Sequence, residues 1–193
     1  MQVKELVEQV DAEIVAEKSE EAIPFAAHIP TGLRNAPWLT EGAIRFLESF
    51  LKPEMRVLEF GAGASTLWLA DRVAEVVSVE GAKPWHDLLT EECKSRPNVR
   101  LIFCERYNGP QREYPDGYFD LVLVDGRNRA RCFADSDRVL RSGGVMMLDN
   151  SERKKYLPFF EHYPHPSWSA EQLGPDSLGF WYSGWTTKWW IKR

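Results

Sequence analysis

Apolar positions recur along this chain with two different periods. Val3, Leu6, Val7, Val10 and Ile14 fall at helical spacing and predict a helix over residues 2–18. A proline-containing stretch, AIPFAAHIPTGLRNAPW, follows and reads as irregular. Thr40 stands where it would cap a helix, TEGAIRFLESFL, with Ile44, Leu47, Phe50 and Leu51 on one face. From there, short apolar runs alternate with helical stretches. RVLEF (56–60), EVVSVE (75–80), VRLIFC (99–104), YFDLVLVD (118–125) and GGVMMLDN (143–150) read as strands. STLWLADR, PWHDLLTEECK and ARCFADSDRVL read as the helices between them, and SERKKYLPFFEHY as a further one. The fourth run is apolar at nearly every position, as a strand covered on both faces must be. Strand–helix alternation predicts a doubly wound parallel sheet.

The last segment breaks the alternation. SWSAEQLGPDSLGFWYSGWTTKWWIKR has strand-like composition, a Gly/Pro connection and no helix. TTKWWIK is one strand, and its partner lies near 167–173 or near 178–182. A hairpin-fashion pair after five parallel strands predicts a mixed seven-stranded sheet with an antiparallel C-terminal hairpin. Residues 1–39 are then a helix and an irregular lid or substrate segment, and residues 40–193 one α/β domain.

The chain has 193 residues, enough for one sizeable core. Net charge is −5, which disfavours a general nucleic-acid or anionic-lipid binder. No apolar run reaches the ~18 residues of a membrane span. The N-terminus is amphipathic and acidic, without the apolar core of a signal peptide. Cys93, Cys104 and Cys132 are far apart and form no disulfide or zinc pattern, so a reducing cytoplasm is expected.

The candidate chemistry begins at VLEFGAGASTLWLA. Gly61 and Gly63 end the first strand, where such sheets bind ligands. Without Cβ atoms they let backbone N–H groups approach a ligand. Glu80 ends the second strand, 19 residues after Gly61, where a carboxylate can accept both hydroxyls of a ribose. A dinucleotide, a nucleotide triphosphate and S-adenosylmethionine all remain open to a GxG turn. No GK[ST] follows, which excludes a Walker loop. Thr66 stands where a dinucleotide turn has its third glycine, and Glu59 would repel a pyrophosphate but tolerate a sulfonium ligand with an ammonium group.

VLEFGAGAST, VVSVE and YFDLVLVDG…GGVMMLDN resemble, in order and spacing, the motifs of class I S-adenosylmethionine-dependent methyltransferases. The resemblance runs from about Thr40 to the C-terminus and implies their Rossmann-like fold and cofactor. It implies that Glu59, Gly61 and Gly63, with Ser65 and Thr66, line the methionine part. It also implies that Glu80 holds the ribose, and that Cys104 and Glu105 lie near the adenine. Cys-Glu departs from the Gly-Asp common in the family there.

The acceptor is expected over the ends of the fourth and fifth strands, at Asp125 and at Asp149-Asn150. Methyl transfer needs an acceptor in line with the sulfonium carbon and a group to remove its proton. Asp125 also suits the cofactor's amino group. Three oxygen-bearing side chains at adjacent strand ends suit a hard divalent cation such as Mg2+. The Asp…Asp-Asn pattern resembles metal-dependent O-methyltransferases such as catechol O-methyltransferase, but Asn128 stands where that group has lysine. The absence of an NPPY or DPPY motif tilts the resemblance toward an oxygen acceptor.

Arg127, Arg129, Arg131, Arg153, Lys154 and Lys155 follow the same two strands and suggest a basic rim for an anionic small molecule. Trp85 suits the adenine, and His28 and Trp38 suit a substrate contact from the N-terminal segment. The Trp181, Trp185, Trp189 and Trp190 group suits sheet core or a homodimer interface. The reading is methyl transfer to a small-molecule acceptor at oxygen. Its rivals are an NAD-dependent oxidoreductase and a non-catalytic cofactor-binding or assembly protein.

Overall fold

In the single sheet the first strand of the chain, Arg56–Phe60, lies beside the fourth, Phe119–Val124, and the strand order reverses there, which opens a crevice at the carboxyl ends of the strands. The computed structural model describes residues 36–156, 163–175 and 181–193. The expected helix over 2–18 and the proposed lid lie outside them, except for residues 36–39. The strands are β1 (Arg56–Phe60), β2 (Glu75–Glu80), β3 (Val99–Phe103), β4 (Phe119–Val124), β5 (Leu140–Leu148), β6 (Ser167–Pro175) and β7 (Trp181–Ile191). β1 to β5 pair in parallel, β7 runs antiparallel to β5, and β6 antiparallel to β7. The seven-stranded mixed sheet with its terminal antiparallel pair is therefore present, with the first strand of that pair at the 167–173 position.

The helices are α1 (Glu41–Phe50), α2 (Ala64–Ala70), α3 (Lys83–Cys93) and α4 (Arg129–Ser136). α1 buries Ala43 and Leu47, four residues apart on one face, and Phe46 stacks on Trp189 at 4.8 Å. It sits so close to β6 that a Cβ on Gly42 would come within 2.5 Å of the Ala170 Cβ. Apolar side chains cover both faces of the sheet. Leu58, Phe60, Val122, Val124, Met146, Leu148 and Trp190 fill one side. Val57, Val76, Leu121, Leu123, Val145, Met147 and Trp189 fill the other, beneath Leu47, Trp68 and Leu69.

Four elements differ from expectation. Thr40 is at the N-cap, but its hydroxyl makes no cap bond; the Glu41 N–H goes instead to Gln172 Oε1 at 3.3 Å. α4 stops at Ser136, and β5 starts at Leu140 rather than Gly143. β5 reaches its full pairing only after an irregular step, because Phe119 pairs with Leu140 but Leu121 with Val145. The expected helix from Ser151 is, over its described part, a turn and a short 3-10 segment, Lys154–Tyr156.

Candidate cofactor and acceptor site

Strand alternation collects the polar residues on one side of the sheet. Val57, Leu121, Val145 and Trp189 share a face, so Glu59, Ser78, Glu80, Asp125, Asp149, Thr187 and Trp185 fall on it too. That face is the one covered by α1 and α2.

Glu59 is fully buried beneath the glycine turn. Ser65 Oγ donates to its Oε1, and Thr66 Oγ1 and Ser78 Oγ donate to its Oε2, each at 2.5 Å. Burial pushes this carboxyl up to about 7, and the three hydroxyls pull against that. Thr66 Oγ1 also accepts the Gly63 N–H at 2.9 Å. Glu59 thus ties β1, β2 and the start of α2 together from below. Of the residues expected to line the methionine part, it, Ser65 and Thr66 are drawn inward, and Gly61 and Gly63 form the turn above them.

The two glycines have different reasons. Gly61 has φ +100°, and a Cβ there would lie 2.5 Å from the Gly126 nitrogen. Its turn is welded to the end of β4: Asp125 N and Gly126 N both donate to Phe60 O, at 2.8 and 2.6 Å. Gly63 is extended, and a Cβ would meet only Trp85 Cζ2 at 3.9 Å. Protein packing therefore requires Gly61, but it does not require Gly63.

Glu80 is 3% exposed. Its Oε2 accepts Ala62 N–H at 3.1 Å; its Oε1 accepts Ala82 N–H at 2.7 Å and the Tyr107 phenol at 2.6 Å. Trp85 donates its indole N–H to Ala62 O at 2.5 Å, which puts it beside the turn. Cys104 is half-buried with its thiol toward Asn108 O, and Glu105 is exposed on the same loop.

At the neighbouring strand ends Arg129 lies between two carboxylates. Its NH2 group donates to Asp125 Oδ1 at 2.9 Å and to Asp125 O at 2.7 Å, and its Nε to Gly126 O at 2.8 Å. Its NH1 group donates to Asp149 O and stands 4.0 Å from Asp149 Oδ2. Asp149 is also held by Trp185 Nε1, at 2.8 and 3.0 Å from its two oxygens, and by Thr187 Oγ1 at 2.7 Å. Burial raises both carboxyls above their usual range. Arg129 and Arg153 pull Asp125 down, and the Asp125 charge pushes Asp149 up further.

This geometry corrects two expectations. Asp125, Asp149 and Asn150 do not converge as ligands of Mg2+. A guanidinium stands where the cation would, Asp149 is spent on Trp185 and Thr187, and Asn150 Oδ1 accepts from Arg153 at 3.1 Å. Among the described residues no group of three His, Cys, Asp or Glu side chains is arranged to hold a metal. Arg129, in turn, is no rim residue, being 7% exposed and fully engaged. Arg131 pairs with Asp135 at 3.7 Å, and Lys155 lies over the Tyr156 ring. Arg127, Arg153 and Lys154 remain as exposed cations near the site.

Tyr107, Trp185, Thr187 and Ser78 were not singled out as site residues from the sequence. Trp185 and Thr187 had a usable signal: they alternate with Trp189 on the strand next to β5, which aims them at Asp149. Two open hollows of about 440 and 430 Å3 lie at the opposite, amino-terminal ends of the strands. Neither brings together the bared backbone and strand-end carboxylates found at the carboxyl ends.

A parallel sheet reversed about β1 and β4 and closed by an antiparallel β7 is the architecture of the class I S-adenosylmethionine-dependent methyltransferase fold. Residues 58–148 match the family described as a methyltransferase domain, which supports a methyltransferase. Solved structures of the same fold include a tRNA methyltransferase from Aquifex aeolicus, 16% identical, covering 82% of this chain and 72% of its own, with a TM-score of 0.61. A precorrin-6y methyltransferase from Geobacter metallireducens is 18% identical over 82% of this chain and 93% of its own, TM-score 0.62. The Streptococcus mutans protein SMU.1697c, solved with S-adenosylhomocysteine, is 13% identical over 80% and 98%, TM-score 0.58. No curated protein matches the chain significantly. The methyltransferase-domain match favours a methyltransferase over the NAD-dependent oxidoreductase. Among the described residues, no helix is long and apolar enough to cross a membrane.

Proposed function

We propose that this enzyme methylates an oxygen of a small, anionic acceptor, with Asp125 as the proton-accepting group. The observation that carries the reading is the place of Asp125. Its backbone N–H is bonded to Phe60 O at the root of the glycine turn, and its carboxylate is paired with Arg129. A group so placed borders both the turn assigned to the cofactor and the ends of β4 and β5.

In this reading Glu80 holds the ribose, Gly61 and Gly63 bare the backbone for the methionine part, Cys104 and Glu105 flank the adenine, and Glu59, Ser65 and Thr66 act through the turn they brace. The acceptor oxygen attacks the methyl carbon in line. S-adenosylmethionine would supply the methyl group, its sulfur keeping the electron pair of the broken bond to carbon. The acceptor's proton passes to the Asp125 carboxylate, whose raised pKa makes it a better base near neutral pH. Arg129 keeps Asp125 and Asp149 from repelling one another and fixes their orientation. Arg127, Arg153 and Lys154 supply the positive charge for the acceptor's carboxylate, phosphate or sulfate.

The test is a methyl-transfer assay against a panel of hydroxylated carboxylates, phosphates and sulfates, with neutral analogues alongside. Asp125→Asn should lower kcat by about a hundredfold or more, the usual worth of a general base, with S-adenosylhomocysteine affinity little changed. Equal turnover of neutral and anionic acceptors would remove the charge requirement. Unchanged kcat in Asp125→Asn would remove its role as base.

A further inference from the structure

Tyr107 fills the space that the cofactor reading gives to the ribose and base. Its phenol donates to Glu80 Oε1 at 2.6 Å, and the residue is 5% exposed. Its ring is wedged between the two loops that leave β2 and β4. A Cβ on Gly126 would come within 2.5 Å of Tyr107 Cε1, and one on Gly81 would overlap Cε2. Both backbones are thus bare where the ring passes.

The loop behind the ring is drawn tight. Tyr107 has φ 61°, a left-handed conformation that aromatic residues rarely take, and Gly109 has φ 132°. Tyr107 N–H donates to Cys104 O and Asn108 N–H to Arg106 O, both at 2.7 Å. Asn128 Nδ2 donates to Arg106 O at 3.2 Å and ties this loop to the end of β4. In this state Glu80 Oε1 is fully taken, and Oε2 keeps one acceptor site. Its oxygens already hold two backbone N–H groups and one hydroxyl.

We infer that Tyr107 is a displaceable placeholder in the cofactor site: its phenol stands in for a ribose hydroxyl on Glu80, its ring fills the gap between Gly81 and Gly126, and S-adenosylmethionine binds when residues 104–109 carry the ring away. The inference rests on Glu80 being the ribose acceptor. At Glu80 Oε1 one hydroxyl donor replaces another, so that bond is nearly balanced in the exchange. Strain released at Tyr107 favours leaving, and lost ring burial opposes it. The apparent affinity for the cofactor is then the intrinsic one multiplied by the fraction of molecules with the ring displaced. Tyr107 therefore sets how tightly the enzyme holds both cofactor and product.

The experiment is calorimetric titration of S-adenosylhomocysteine into the wild type, Tyr107→Phe and Tyr107→Gly. Tyr107→Gly should bind about tenfold more tightly than the wild type, since ring and strain are both gone. Tyr107→Phe, which keeps the ring but frees Glu80, should bind about threefold more tightly. Wild-type binding that is equal to or tighter than that of both variants overturns the placeholder. Binding by none of the three overturns the cofactor reading, and this inference with it. A second measurement uses the intact protein labelled with fluorotyrosine. The 19F resonance of Tyr107, assigned by its loss in Tyr107→Phe, should shift toward a solvent-exposed position when S-adenosylhomocysteine is added. A resonance that stays put while the ligand binds also overturns the placeholder.

Discussion

Trp185 donates its indole N–H to both oxygens of Asp149, at 2.8 and 3.0 Å, across the joint between β5 and the antiparallel β7. Asp149, placed at the acceptor end in the proposed function, is therefore held by the C-terminal hairpin as well as by the parallel sheet. Trp185→Phe keeps an aromatic ring but removes the donor and the pyrrole part of the indole. A buried carboxylate short of one partner costs about 1–3 kcal/mol, so the urea midpoint should fall with an unchanged slope. The indole also pulls the Asp149 carboxyl down. Its loss should move the acid limb of the pH–rate profile upward. An unchanged midpoint and profile would mean that the hairpin does not support Asp149.

Glu59 predicts a specific pH dependence of stability. Its carboxyl is raised from 4.5 to about 7 in the folded protein. Between those values the folded chain keeps a proton that the unfolded chain has lost. Raising the pH through this window therefore favours unfolding, by an amount on the order of 3 kcal/mol. Glu59→Gln cannot titrate, so its stability should fall less between pH 4.5 and 7 than that of the wild type. Some slope persists, because Asp125 and Asp149 are also raised and act with the same sign. Identical pH slopes in the two proteins would show that Glu59 is ionised throughout.

The two glycines of the turn should fail in different ways. Gly61→Ala forces a Cβ against the Gly126 backbone at positive φ, so it should cost about 2–4 kcal/mol and show in thermal unfolding. Gly63→Ala meets only the edge of Trp85. It should unfold at nearly the wild-type temperature and yet bind S-adenosylhomocysteine more weakly. A stable Gly61→Ala protein, or a Gly63→Ala protein with full affinity, would reverse that assignment.

Arg129→Met removes the cation between Asp125 and Asp149. Breaking a buried pair on one side costs about 3–5 kcal/mol, because a charge is left uncompensated. The loss should shrink as pH falls and the carboxyls protonate. Chemical denaturation at two pH values checks it, and a pH-independent loss would assign Arg129 a packing role alone. With Arg129 in place of a metal, a chelator should leave methyl transfer unchanged.

The sheet was legible because its central strands are apolar nearly throughout, as in YFDLVLVD, and because one alternation runs along each of them. The same alternation put Glu59, Glu80, Asp125 and Asp149 on one face. What escaped was decided by contacts distant in sequence. Tyr107 lies in a loop with no period, and only the bare backbones of Gly81 and Gly126 give its ring a seat. Arg129 looked like one of several surface arginines until the β4 and β5 ends closed around it. Thr40 looked like a helix cap, but its N–H and the first helical N–H turn to the hairpin, at Thr187 and Gln172. The early start of β5 was hidden because the pairing of Leu140 with Phe119 precedes an irregular step.

The Glu59 clamp has a consequence for the order in which the molecule assembles. Its partners Ser65, Thr66 and Ser78 lie 6, 7 and 19 residues away along the chain. Asp149 reaches 36 and 38 residues to Trp185 and Thr187, and Thr40 reaches 147 to Thr187. Closing a short loop costs less chain entropy than closing a long one, so the Glu59 clamp can form from β1, α2 and β2 alone. On a ribosome those segments emerge well before β7 is made. The Glu59 clamp thus needs only early segments, the Gly61 turn gains its last backing when β4 arrives, and Asp149 still waits for the final strand.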